Sequence, residues 1–579
     1  MSARRRRKAG KTSWCHRVIS RSRPEFGSEK GIMNQPQTPE RPPRNYISIF
    51  VIILVVIALL AILAGLMLPS LAKAKAKGQR ISRLVDLSVL DEVSAARPPF
   101  NTEAYDHIAD NPFLAVMENP LSTFSIDVDK ASYANIRRFL SQGQLPPPDA
   151  VRIEEMLNYF SYAYPEPVDV HPFSVTLGAH GCPWNSTHRL VRIGLKAKTV
   201  QSRERPKCNL VFLIDVSGSM NDPRKLPLVQ EALELLVDKL ADYDRVALVV
   251  YAGASGLVLD STACKDRRTI LRALRRLQAG GSTNGGEGLE LAYRTAVAHF
   301  IPGGVNRVIL CTDGDFNVGI TSTGDLTRLI KEKARTGVFL TVLGFGMGNY
   351  KDATLEKLAD LGNGNYGYID TLAEARKLLV DELNGTLVTV AKDVKLQVEF
   401  NPAHAAAYRL LGYENRLLRK EEFNDDAKDA GDIGAGHTVT ALYEVVPRGC
   451  TVPAGAVAPL KYQAAAAQPR TPSGELFTIK LRYKAPDGTN SHLMTIPFTD
   501  TGAGLEAASS DFKFAAAVAA FGMILRHSEH KGAASLTLVR TLAAHGNDSA
   551  SRAEFLKLVD SADQLLPQMT RRADGELTR

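Results

Sequence analysis

Three short stretches of this chain carry oxygen donors at spacings suited to a hard cation. LIDVSGSM supplies Asp215, Ser217 and Ser219. ILCTDGDFN supplies Asp313, with Asp315 close behind. Between them, AGGSTNGGEG presents Thr283 in a loop where Gly280, Gly281, Gly285 and Gly286 permit sharp bends and close approach. Two carboxylates and three hydroxyls form an oxygen-only set. Such a set suits Mg2+, Mn2+ or Ca2+ and is poor for soft metals. Cys311, two residues before Asp313, stands alone; no group of Cys and His at zinc spacing and no nucleophile–base pair accompanies the donors. Asp215 alone is equally a turn or helix cap, and Asp313 alone an Asx-turn. The combination is what points to a metal.

The elements that must position these residues follow from the apolar pattern. NLVFLIDV (209–216) is nearly continuous apolar sequence ending in Asp215. Helical periodicity follows at about 224–241. RVALVVYAG comes next, then helices near 267–277 and 286–299. NRVILCTDG, a helix near 323–335, VFLTVLGFG, a helix near 351–361, NYGYID and a helix near 372–384 complete the run. Alternation of this kind predicts a mostly parallel, doubly wound α/β domain over 208–388, with right-handed crossovers. Open sheets of this class bind ligands at the carboxyl ends of strands, at the switch point in strand order. Asp215 and Asp313 both end predicted strands.

D-x-S-x-S, then a loop Thr, then T-D-G, resembles the metal-ion-dependent adhesion site of von Willebrand factor type A (VWA) domains. FSIDVDKASYANIRRFL, RIEEMLNYF, NLVFLIDVSGSMNDPRKLPL, AGGSTNGGEGLELAY, TDGDFNVG, GNGNYGYIDTLAEA and NDDAKDAGDIGAGHTVTALYE together resemble the bacterial YfbK-like group. In that group a VWA domain sits between N- and C-terminal flanking domains. The resemblance runs from about residue 116 to the end. It implies a Rossmann-like VWA fold. Position by position, Ser217 and Ser219 would bind the ion through their hydroxyls. Thr283 would reach it directly or through water. Asp215 and Asp313 would hold it directly or through water and supply compensating charge. The resemblance further implies Mg2+, with Mn2+ or Ca2+ as alternatives, and a remaining position open to a carboxylate from a protein partner.

Residues 116–203 predict a small α+β domain. Asp129 is placed to cap a helix to about Ser141, with Tyr133, Ile136, Phe139 and Leu140 on one face. A second helix carries Ile153, Met156, Leu157 and Phe160, followed by two alternating strands. Residues 390–579 predict a β-rich domain closed by helices, with Phe512, Phe514, Val518, Phe521 and Leu525 at helical spacing and a loose Ala/Pro-rich insert at 452–474. Cys208 and Cys311 fall on core strands as buried thiols. Cys182, Cys264 and Cys450 suggest no pairing. Asp425, Asp426, Asp429 and Asp432 lack EF-hand spacing and suggest a solvated loop.

The amino-terminal part differs in kind. Residues 1–45 hold twelve Lys/Arg and three Glu, which accounts for the whole formal charge of +9. The remaining chain is balanced, so the basic balance gives the folded part no nucleic-acid signature. The tail itself predicts a solvated, disordered segment. Tyr46–Leu68 is 23 residues without a charge, long enough at about 35 Å to cross a bilayer as a helix. Residues 69–115 predict a linker. Basic residues before the span place the large C-terminal part on the periplasmic or extracytoplasmic side of a single-pass protein. A start at Met33 would leave only Arg41 and Arg44 ahead of the span and reverse that bias. Residues 55–80 resemble type IV pilin and pseudopilin-like helices, but Ile47 and Ile52 replace the expected Gly and Glu. The leading expectation is a non-enzymatic, membrane-anchored protein-binding module. The rivals are a pilin-like subunit and a metal-dependent hydrolase. Ser217 stands where a D-x-D-x-T hydrolase needs its second Asp.

Overall fold

The structure, a computed structural model, describes residues 103–576 apart from Asp127, 202–203, 253–254, 282–284, 315–322, Asn349, 454–472 and 547–548. The predicted tail, the apolar 46–68 segment and the predicted 69–115 linker as far as residue 102 therefore lie outside the described residues. Residues 103–115 are not a linker but part of the fold, with Asn111 and Phe113 buried and Leu114–Ala115 paired with a later strand. Among the described residues no helix is long and apolar enough to cross a membrane.

The chain first lays down β1 (Leu114–Ala115), β2 (Leu121–Ser125), helices α1 (Ala131–Ser141) and α2 (Ile153–Asn158), and the hairpin β3 (Phe173–Cys182) and β4 (Asn185–Ala197). Tyr133, Ile136, Phe139 and Leu140 of α1 are buried, as their spacing requires. Asp129 does not cap this helix. The helix opens at Lys130 without a side-chain cap. Asp129 instead accepts a hydrogen bond from the Tyr366 amide at 2.8 Å and pairs with Arg416 at 3.1 Å. A tertiary ion pair has taken the carboxylate from its local role.

The α/β domain follows as an insertion. Its elements are β5 (Cys208–Asp215), α3 (Leu226–Lys239), β6 (Arg245–Tyr251), β7 (Ser255–Ala263), α4 (Arg267–Arg275), α5 (Gly285–Ala298), β8 (Val305–Thr312), α6 (Thr323–Ala334), β9 (Phe339–Phe345), α7 (Asp352–Leu361), β10 (Tyr366–Ile369), α8 (Leu372–Arg376) and α9 (Leu383–Leu387). The strands form one six-stranded sheet in the order β10-β9-β8-β5-β6-β7. All neighbours are parallel except β6 and β7. Every residue of β5 is buried, as expected of a central strand covered on both faces. Helices α3 and α4 cover one face, around Leu210, Phe212 and Ile214. Helices α5, α6 and α7 cover the other, around Val211, Leu213 and Leu310. The 372–384 pattern reads as one helix but is broken by a π turn at Lys377–Asp381.

After the insertion come β11 (Thr389–Phe400), β12 (Ala405–Leu411), β13 (Gly431–Gly434), β14 (Thr438–Pro447), β15 (Phe477–Lys484) and β16 (Ser491–Phe498), then helices α10 (Ser510–Leu525), α11 (Leu536–Ala544) and α12 (Ala550–Glu576). The sequence separates 116–203 from 390–579, but the structure hydrogen-bonds strands of both into shared sheets. One sheet runs β1-β12-β14-β4-β3 and the other β13-β11-β15-β16, with β2 also on β11. The two enclose a core that includes Phe124, Ile193, Leu396, Tyr443 and Ile479. A helical layer of α1, α2 and α10–α12 packs against this body through Tyr133, Phe160, Phe514, Phe521 and Phe555.

The α/β domain is fixed to this body by buried ion pairs. Arg137 of α1 bonds Glu374 at 2.7 Å and the Tyr159 hydroxyl at 2.9 Å, and also pairs with Asp370. Arg152, at the start of α2, bonds Glu155 at 2.8 Å and Glu356 of α7 at 3.0 Å, and also pairs with Asp352.

Candidate metal centre

In the strand order, β5 has its sequence neighbour β6 on one side and β8, which follows much later, on the other. The switch point therefore lies between β5 and β8, where a crevice opens at the strands' carboxyl ends. Ile214 is in register with Cys311, so Asp215 emerges beside Thr312, and Asp313 follows one residue beyond at the same sheet edge. Both are fully buried. The Asp215 carboxylate accepts the Ser217 amide at 2.8 Å and the Thr312 hydroxyl at 3.4 Å. The Ser217 and Ser219 hydroxyls lie 3.1 Å apart. Ser217 is buried and Ser219 exposed, so the set opens to solvent on the serine side.

The glycine-rich loop is docked at the same edge. The Gly280 amide donates to the Val216 carbonyl at 2.7 Å, and the Gly218 amide donates to the Gly281 carbonyl at 3.0 Å. Thr283 and Asp315 lie outside the described residues. The structure thus brings together Asp215, Ser217, Ser219 and Asp313, and seats the loop that carries Thr283 beside them.

Burial, with the Asp313 charge adding to it, pushes the Asp215 carboxyl up from its ordinary value to about 6. Two buried carboxylates beside one another call for a cation. The Lys225 ammonium supplies one, 2.8 Å from the Asp313 carboxylate. Among the described residues no cluster of three or more His, Cys, Asp or Glu side chains is arranged to hold a metal. The donor set is therefore two carboxylates and the serine hydroxyls, hard oxygen throughout. Those donors are of the type that a hard divalent ion takes.

Lys225 and Thr312 are site residues that the sequence did not single out. Thr312 directly precedes Asp313, so its place in the T-D-G signature is a signal that could have found it. Lys225 offers none, because its partner stands 88 positions away. The acidic 425–432 loop is engaged elsewhere. Asp426 pairs with Arg482 at 3.0 Å, and the Asp425 and Asp426 carbonyls accept from Lys395 and Lys484. Cys182, Cys208, Cys264, Cys311 and Cys450 are free thiols, all buried except Cys450.

Comparison with known proteins places these features. The family model described as von Willebrand factor type A domain matches residues 209–381. Residues 99–192 match one described as von Willebrand factor, and 385–565 match one described as uncharacterized protein YfbK, C-terminal. The chain is 46% identical over 478 residues to the uncharacterized protein YfbK of Escherichia coli (strain K12), across 80% of this chain and 81% of that protein. The chain belongs to the YfbK-like group of VWA proteins. Its VWA domain is the part of the insertion that runs from β5 through α8 to the π turn at Lys377–Asp381. Inter-alpha-trypsin inhibitor heavy chain H4 of Homo sapiens is 33% identical over 27% of this VWA protein and 17% of its own length. A von Willebrand factor type A structure from Catenulispora acidiphila covers 69% of the chain and 91% of its own, at 19% identity and a TM-score of 0.39.

Proposed function

We propose that this VWA protein holds a divalent cation, Mg2+ before Mn2+ or Ca2+, through Asp215, Ser217, Ser219, Thr283 and Asp313, and grips a protein partner by a carboxylate on the same ion. One observation carries the reading. Two buried carboxylates from neighbouring strands meet paired serine hydroxyls at the sheet's switch point, with Ser219 facing solvent. The bound ion would act as a Lewis acid toward the incoming carboxylate. The protein's own part is to hold the donors in a fixed fork, exclude water from the Asp215–Asp313 side and leave the serine side open. The apolar 46–68 run supports anchorage in a membrane, and the basic tail before it supports an extracytoplasmic placement of the folded part.

Calorimetric titration of the full chain in detergent with MgCl2 and MnCl2 tests the metal. Saturable binding abolished by chelator is expected, and a flat trace on folded protein overturns the reading. Metal-dependent hydrolysis of phosphate esters would favour the enzymatic rival instead. Protease accessibility of intact cells tests sidedness.

The Lys225 ammonium shares its carboxylate with the incoming ion and repels it. Lys225→Met is expected to tighten Mg2+ binding roughly tenfold and to lower the melting temperature of the metal-free protein. Unchanged or weaker affinity by calorimetry would show that the ammonium does not compete.

A further inference from the structure

The first described residues of the chain lie over the back of this site. The Glu103 carboxylate accepts from Arg138 at 3.0 and 2.9 Å, and from the Gly348 amide at 2.8 Å. Its side chain is 4% exposed, so this is a buried clamp. The Ala104 amide donates to the Tyr350 carbonyl at 3.0 Å, and Ala104 makes a parallel bridge with Lys351. The Tyr105 hydroxyl donates to Glu103 at 3.2 Å, and its ring packs 6.5 Å from that of Tyr350. A three-residue strap thus stitches itself to the loop that joins β9 to α7.

That loop is pressed against two neighbours of Asp313, Lys225 and Gly314. Gly346 has φ +75°, and a Cβ there would fall 2.5 Å from the aliphatic stem of Lys225. Lys225 in turn holds Asp313. Gly314, directly after Asp313, has φ +95°, and a Cβ there would fall 2.7 Å from the Lys351 nitrogen and 2.8 Å from the Tyr350 Cα. Contacts this close leave the loop little freedom to shift without shifting Gly314 or Lys225. Asp313 is therefore backed on both sides by a loop that the strap holds in place.

We propose that Glu103 is a positioning residue for the metal site, acting through the 346–351 loop, and that seating of the Glu103–Tyr105 strap sets divalent-cation affinity. This rests on the metal-binding reading above. In sequence the strap lies between the apolar 46–68 segment and the rest of the fold. Unseating the strap lowers the site's grip on its ion. By reciprocity, loading the ion tightens the strap by the same factor.

The test uses the full chain in detergent and Mn2+ alone as the probe. Glu103→Ala removes both the Gly348 and Arg138 contacts. Ala104→Pro removes the donor to Tyr350 and restricts the backbone at 103–104, at an exposed position with no core packing to lose. Both variants are expected to bind Mn2+ roughly tenfold more weakly, with melting temperatures in chelator that show them folded. In the wild type, Mn2+ is expected to slow hydrogen exchange at the Ala104 and Gly348 amides by a similar factor. A purely structural strap would change melting temperature without moving affinity. Folded variants that match wild-type affinity overturn this inference alone. A wild type that binds no divalent cation overturns it together with the metal reading.

Discussion

Arg152→Ala is expected to destabilise the protein by about 3–5 kcal/mol, the usual scale for removing one partner of a buried ion network. The guanidinium is 6% exposed and faces Glu155, Asp352 and Glu356, whose side chains are 0%, 2% and 8% exposed. Without it, these carboxylates remain in a low-dielectric seam with too little positive charge. Burial already raises the Asp352 carboxyl, and raises that of Glu356 to about 7, with Arg152 present. Raised carboxyls bind protons more readily in the folded state than in the unfolded state. Their contribution to stability therefore falls as pH rises through the folded value. The loss in Arg152→Ala should accordingly be largest near pH 8 and smaller near pH 5. Urea unfolding at the two pH values checks both the size and the sign. A loss below about 1 kcal/mol would mean the seam is hydrated in solution.

Asp215→Asn is expected to separate binding from stability. Divalent affinity should fall by at least about a hundredfold, since even groups that merely orient metal ligands cost up to that much. The metal-free variant should be more stable than the wild type at neutral pH. Burial raises the Asp215 carboxyl from 3.8 to about 6, which corresponds to a penalty on the order of 3 kcal/mol for the ionised folded form. The folded pKa lies above the unfolded one, so this penalty is absent below about pH 4 and complete above about pH 6. The amide oxygen of Asn can still accept the Ser217 amide. Thermal unfolding in chelator from pH 4 to pH 8 should show the variant's advantage growing up to about pH 6 and level beyond it. Calorimetry with MgCl2 should show its binding lost. Equal stability at pH 8 would mean that another cation, Lys225 foremost, already compensates the pair.

Local pattern made the sheet's centre and the carboxylates on its rim readable. β5 and β8 are apolar runs that stop at polar residues, and such strands in alternation with helices leave few other arrangements. Edge strand β7 went unseen because SGLVLDSTA is half exposed and places Asp260, Ser261 and Thr262 together. The flanking stretches were read as separate because β4 pairs with β14, Ile193 opposite Ala441, across the whole VWA insertion. No local signal announces a partner so remote. The same holds for side chains whose roles are tertiary. Asp129 has the right type and position for a helix cap, yet it is taken by Tyr366 and Arg416. Glu103 carries no local mark of its link to Gly348.

The insertion also fixes an order of assembly. The six strands of the VWA sheet are contiguous in the chain, between Cys208 and Ile369. The host sheets are not. The β3–β4 hairpin must wait for β14 to pair along β4, and β2 must wait for β11. As the polypeptide leaves the ribosome, the guest domain therefore has all its strands before its host can close. The first host strands stand with open edges while roughly 250 further residues are made. The single interruption of the host thus separates two nascent structures in time as well as in space.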